Sequence, residues 1–182
     1  MARFASMRDN ITLALAIIGS GLGIANLIID LWRNRVRLRV VPKLYVRSAQ
    51  GSYAYDRPMD DFLKQHNFDD DPKLCVEVQN ISSKPVTISL IGFARWRADK
   101  RVVLNPIFTD NRNLPRRLEP HSSFVAYSLY TPEQMWKEYG RFDFAFAETE
   151  SDQFCRGSSK ILKHVRKSLR KVARSKDEAV PL

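Results

Sequence analysis

Residues 11–29 of this 182-residue chain read ITLALAIIGSGLGIANLII, an apolar run without a single charge. As an α-helix the run would be about 28 Å long at roughly 1.5 Å per residue, close to the thickness of a bilayer's hydrocarbon core. No other feature restricts the fold as much. A helix of that length at the edge of a soluble domain shows a polar face to water, and this one has no charge until Asp30. A cleaved signal peptide is the competing reading, because Gly23-Ile24-Ala25 supplies the small residues that a signal peptidase accepts. Cleavage there would leave a mature chain starting NLIIDLW, an apolar stub with nothing to bury it. The run is therefore expected to persist as a transmembrane helix over residues 11–32, behind a short tail of residues 1–10.

Basic residues beside a span set its orientation. Arg3 and Arg8 precede it, whereas Arg33, Arg35, Arg37, Arg39 and Lys43 follow it. The imbalance predicts a single-pass protein of the cell (inner) membrane, with its N-terminus outside and the remaining chain in the cytoplasm. Trp32 stands where an interfacial aromatic belongs. Trp32, Arg33, Arg35, Arg37 and Arg39 are thus candidates for contact with anionic headgroups. Within the span, Thr12, Ala16, Gly19, Gly23, Asn26 and Asp30 share one helical face, opposite Leu13, Ile17, Ile24, Leu27, Ile28 and Leu31. Small residues let two backbones approach, and Asn26 adds a hydrogen-bonding group. Ala16, Gly19, Gly23 and Asn26 are accordingly the expected association face, for a second copy of the chain or for another membrane protein.

The formal net charge of +10 is unevenly spread. Residues 1–32 balance to zero, residues 33–43 hold five cations and no anion, and residues 44–155 sum to −2. Residues 156–176 then hold nine cations and no anion. A nearly neutral domain between two basic strips argues against a surface that coats nucleic acid. Cys75 and Cys155 are the two cysteines. A cytoplasmic domain keeps them reduced, whereas the opposite orientation would let them pair. There is no CxxC, and His66, His121 and His164 are isolated in sequence, so no metal site is expected. The chain also lacks GxGxxG, P-loop, GxSxG and HExxH motifs, so neither catalysis nor a cofactor is expected.

Beyond the span the hydrophobic period changes from helical to two. Arg33, Arg35, Arg37 and Arg39 alternate with Val36, Leu38 and Val40, which predicts a strand leaving the membrane at once. Leu74, Val76 and Val78 alternate with Cys75, Glu77 and Gln79, and Val86, Ile88 and Leu90 with Thr87 and Ser89. Phe142, Phe144 and Phe146 alternate with Asp143, Ala145 and Ala147, and the three phenylalanines are expected to anchor the core. Shorter strands are expected near 102–104, 123–129 and 153–156, separated by turn residues, with a short helix over 132–139. Strands without a βα rhythm predict a mainly β fold, an antiparallel β-sandwich over residues 33–157.

The order of these segments carries a resemblance. An anchor comes first, then VEVQNISSKPVTI (residues 76–88), then LEPHSSF (118–124), then FDFAFA (142–147) before an acidic turn and a last strand. The chain resembles a broad group of bacterial and prophage proteins in which an N-terminal membrane helix carries a small immunoglobulin-like sandwich. The resemblance spans residues 8–160, rests on turns and strands, and implies architecture alone. An acidic insertion, 48–72, departs from it. Asp60, Asp61, Asp69, Asp70 and Asp71 are interleaved there with Tyr53, Tyr55, Phe62 and Phe68. The consecutive aspartates lack the alternating ligands and turn glycine of a calcium loop, so a solvated or partner-binding loop is expected.

The second departure is the tail. Ser158 or Ser159 can cap a helix over residues 158–176, ahead of a last stretch, 177–182. Ile161, Leu162, Val165, Leu169 and Val172 lie on one side of it. Lys160, Lys163, Arg166, Lys167, Arg170, Lys171 and Arg174 occupy the rest. Such a basic amphipathic helix is expected to lie on an anionic leaflet, with packing on the domain, nucleic-acid phosphates and an acidic partner as the alternatives. Taken together, the sequence predicts a membrane-tethered binding or accessory module that associates through its span. A small oligomeric membrane-perturbing or phage-exclusion-type factor is the alternative, and a membrane-localised nucleic-acid binder is a weaker one.

Overall fold

The computed structural model describes residues 2–33, 35–48, 51–58, 71–96, 101–108 and 113–178. The chain divides into two compact units, Met1–Val36 and Arg37–Leu182. The first is one helix, α1 (Ala2–Arg33). It starts well before the apolar run, so residues 2–10 of the short tail ahead of it are helical. The reason is local: ARFASMRDN contains neither glycine nor proline to stop a helix. The segment Leu15–Trp32 is long and apolar enough to cross a membrane by length and composition, and no part of it is buried by protein. Its ten large apolar side chains, from Leu15 to Trp32, are each more than half exposed.

The second unit is mainly β, with two antiparallel sheets. In chain order its strands are β1 (Leu38–Ser48), β2 (Gly51–Tyr55), β3 (Lys73–Asn80), β4 (Val86–Ala94) and β5 (Arg101–Val103). β6 (Arg116–Leu118), β7 (Ser123–Tyr127), β8 (Phe144–Thr149) and β9 (Phe154–Gly157) follow. A four-stranded sheet runs β2-β1-β3-β7, and a five-stranded one runs β5-β4-β8-β9 with β6 also paired to β4. Val40, Leu44, Val46, Leu74, Val76, Val78 and Ala126 of the first sheet are buried, as are Ile88, Ile91, Phe93, Ala145 and Ala147 of the second. β1 touches β8 and β9, which joins the two sheets around one core.

Two expectations need correction. The strand expected from residue 33 begins at Leu38. Arg33 ends α1, and Arg35, Val36 and Arg37 lie in the connection. Leu38 is where the hydrogen-bonding partner begins, because it pairs with Asn80, the last residue of β3. Asn80 in turn closes the β3–β4 turn: its buried Nδ2 donates to Lys84 O (2.8 Å) and Leu118 O (3.0 Å), and its Oδ1 accepts from Ser82 N (3.0 Å). Second, the insertion contributes a strand, since β2 pairs along β1 from Leu44–Tyr55 to Ser48–Gly51. Asp60, Asp61, Phe62, Phe68, Asp69 and Asp70 lie outside the described residues.

The three phenylalanines are buried, as expected of core residues, but in two separate clusters. Phe142 precedes β8 and packs on Phe93 (5.5 Å between centroids) and Trp136 (5.9 Å). Phe144 and Phe146 are opposite Ala94 and Gly92 in the ladder, on the pleat face away from Ala145 and Ala147. They build a second apolar cluster, in which Phe146 stacks on Phe154 (5.1 Å) and Phe144 meets Trp96 (4.9 Å). The guanidinium of Arg101 covers Phe154 at 4.9 Å, and that of Arg156 covers Trp96 at 4.5 Å. The inner face of β8 carries alanines because the sheets come close at this corner. A Cβ on Gly157 would sit 1.6 Å from the carbonyl oxygen of Val40.

Two helices complete the unit. In α2 (Pro132–Tyr139) Thr131 and Gln134 form a capping box, and Gly140 ends the helix at a φ of 78°. α3 (Lys160–Glu178) starts after Ser159, whose Oγ accepts from Leu162 N at 3.2 Å. The close approach at Gly157 makes a clear test. Gly157→Ala is expected to destabilise the domain by on the order of 3 kcal/mol, because the obstructing atom is backbone and cannot rotate away. Thermal unfolding should show the loss, and Gly51→Ala, with nothing within 4 Å of its Cβ, should register only its backbone strain.

Candidate functional site

α3 supplies the most strongly charged surface of the second unit. Its apolar residues Ile161, Leu162, Val165 and Leu169 are buried, and the helix packs on β1 and α2. Ile161 N also donates to Asp56 O at 2.9 Å, just beyond β2. The apolar side that could have entered lipid is therefore covered by protein, and only Val172 of that set stays exposed. The cationic side remains outward. Lys160, Lys163, Lys167, Arg170 and Lys171 are exposed. Lys163, Arg166, Lys167, Arg170 and Lys171 line one recess of about 490 Å³. Their spacing of three and four residues puts them on one helical face. Among the described residues, Lys163, Lys167, Arg170 and Lys171 have no ion-pair partner. The side chain of Arg174 lies outside the described residues.

Arg166 differs from its neighbours. The sequence groups it with the solvent-facing cations, but in the fold it is half-buried and turned to Asp143. Its Nη2 pairs with Asp143 Oδ1, and its Nη1 donates to the carbonyl oxygen of Asp143 at 3.3 Å. Asp143 is almost fully buried, at 2% exposure. Arg141 Nε donates to its Oδ1 at 3.0 Å, and the backbone N–H of Trp96 donates to its Oδ2 at 3.0 Å. Burial alone would raise the Asp143 carboxyl. The Trp96 N–H, Arg141 and Arg166 outweigh that effect and hold it below the ordinary carboxylate range. Arg166 is pulled down by burial and by Arg170 and Arg141, and Asp143 opposes this. One carboxylate thus faces two guanidinium groups, and the recess beyond it holds four further cations.

The remaining sequence-selected residues are dispersed. Ala16, Gly19, Gly23 and Asn26 fall on one exposed face of α1, and no atom comes within 4 Å of a Cβ built on Gly19 or Gly23. Trp32 is exposed, as are Arg35, Arg37 and Arg39, and the side chain of Arg33 lies outside the described residues. Cys75 and Cys155 are free thiols. Cys75 is fully buried, beside the Lys43–Glu77 ion pair (3.0 Å) and Tyr127. Burial pushes its thiol up to about 12. No cluster of three or more metal-ligating side chains occurs among the described residues. No family model, curated protein or solved structure matches this chain.

The Asp143 network fixes a pH dependence. A carboxyl whose pKa falls on folding adds stability that is present above its unfolded value and is lost as pH drops through about 4 and below. Asp143→Asn should cost about 3 kcal/mol or more at neutral pH, because it strands Arg166 and Arg141 without their counter-charge. Melting curves at pH 7 and about pH 2.5 should show a smaller acid-induced drop in Tm for the variant than for the parent chain. An equal drop would remove Asp143 from this role.

Proposed function

We propose that this chain is a single-pass, membrane-tethered binding or accessory module without catalytic activity of its own. The observation that carries the proposal is the uncovered helix Leu15–Trp32. Ten large apolar side chains left in water would forfeit on the order of 20 kcal/mol of transfer free energy, and a bilayer is the solvent that recovers it. The excess of basic residues after the span supports an N-terminus outside and a cytoplasmic domain in the inner membrane.

On this reading the two antiparallel sheets form an immunoglobulin-like sandwich of the kind carried by the bacterial and prophage proteins that the chain resembles. Residues 34–37 alone separate α1 from β1, so the tether is short. The exposed face bearing Ala16, Gly19, Gly23 and Asn26 serves association in the bilayer, with a second copy or with another membrane protein. The cations of α3, together with Arg35, Arg37 and Arg39, hold the domain at an anionic leaflet by charge rather than by insertion, since the apolar side of α3 is covered.

Two measurements test this. Full-length protein should sediment with membranes after carbonate extraction, and recovery in the supernatant would end the proposal. Crosslinking in intact membranes should trap an adduct that the paired variant Gly19→Leu, Gly23→Leu reduces at least about fivefold. An undiminished adduct would discard that face while leaving the anchor in place.

A further inference from the structure

We propose that the recess along α3 is a discrete site for a terminal phosphate group, a phosphomonoester or pyrophosphate-like anion. It names the ligand of the cationic face that the functional reading assigns to the membrane, and to that extent rests on that reading.

Three observations support a site over a diffuse basic strip. The first is concavity. Lys163, Arg166, Lys167, Arg170 and Lys171 surround a volume of about 490 Å³, within the range of small-molecule sites and large enough for a phosphorylated headgroup. The second is preorganisation. Arg166 is clamped by the carboxylate and the carbonyl oxygen of Asp143, so its planar guanidinium does not need to be ordered by the ligand. Two of its N–H donors are engaged in that clamp and its Nε is buried out of a ligand's reach, so Arg166 contributes to the recess as a fixed positive charge. The third is unbalanced charge. Between residues 160 and 176 there is no acidic side chain, and Asp143 is already shared by Arg141 and Arg166. Burial and the neighbouring Arg170 both disfavour the charge on Arg166, and an anion in the recess would relieve that repulsion. A doubly charged phosphate with three equivalent oxygens meets these donors better than a carboxylate with two. Its source would be either a lipid headgroup with a terminal phosphate or a free phosphorylated compound.

The test uses full-length protein in phosphatidylcholine nanodiscs, titrated calorimetrically with inorganic pyrophosphate. One equivalent should bind. The triple variant Lys167→Gln, Arg170→Gln, Lys171→Gln, at exposed positions, should weaken binding at least about tenfold. An equal loss of charge at exposed sites away from α3, Arg47→Gln, Lys84→Gln, Lys137→Gln, should change it by less than about twofold. Absence of saturable binding, or equal weakening by both triples, would overturn the inference in favour of diffuse attraction. Discs doped with phosphatidic acid or phosphatidylserine to equal surface charge identify the source. Competition with pyrophosphate by phosphatidic acid alone points to a lipid phosphomonoester, and competition by neither points to a free compound. Equal competition by both lipids overturns phosphate specificity. Sedimentation decides the functional reading separately, so a chain that sediments yet binds no pyrophosphate refutes only the site.

Discussion

The buried carboxylate of Asp143 ties the last helix to the paired strands β4 and β8. It accepts from the backbone of Trp96 just after β4, it lies directly before β8, and it pairs with Arg166 in the middle of α3. A charge so well buried is tolerable only with its partners in place, since removing one strands the others in a poorly solvated site. The pair therefore fixes the rotation of α3 about its own axis. With Arg166 turned inward, Leu162, Val165 and Leu169 are pressed against the domain, and Lys163, Lys167, Arg170 and Lys171 point away from it.

The two terminal helices answer the same physical problem in opposite ways. α1 is apolar through its central turns, and Leu15–Trp32, unburied by protein, is long and apolar enough to cross a membrane. α3 is apolar on one side only, and the domain supplies the cover. On the proposed reading, a helix so docked would meet an anionic surface by long-range attraction without insertion, and salt would weaken that contact.

Much of the β unit was legible from alternation. The strands of residues 73–80 and 86–94 and the helix over 132–139 follow from pattern and turn residues, because these signals are local. The errors arise where a long-range partner decides. A strand starts where its neighbour offers hydrogen bonds, so β1 begins opposite Asn80 and not at the first alternating arginine. Large and small residues along β8 alternate as the sequence shows, but which set faces inward depends on how near β1 lies, and Gly157 sets that distance. Asp143 carries one faint signal in the sequence: an acid inside FDFAFA is costly unless a cation is buried with it.

The sequence by itself determined the apolar helix, the mainly β character, the short capped helix α2 and the segregation of positive charge, because each depends on residues a few positions apart. Tertiary structure alone decided that Phe144 and Phe146 are buried with Ala94, beside Trp96 and Phe154 under Arg156 and Arg101. It also decided that Cys75 is buried, and that Arg166 couples the last helix to Asp143 while its neighbours stay free for an anion. Those outcomes depend on distances between segments far apart in the chain, and no periodicity within one segment encodes what will lie across from it.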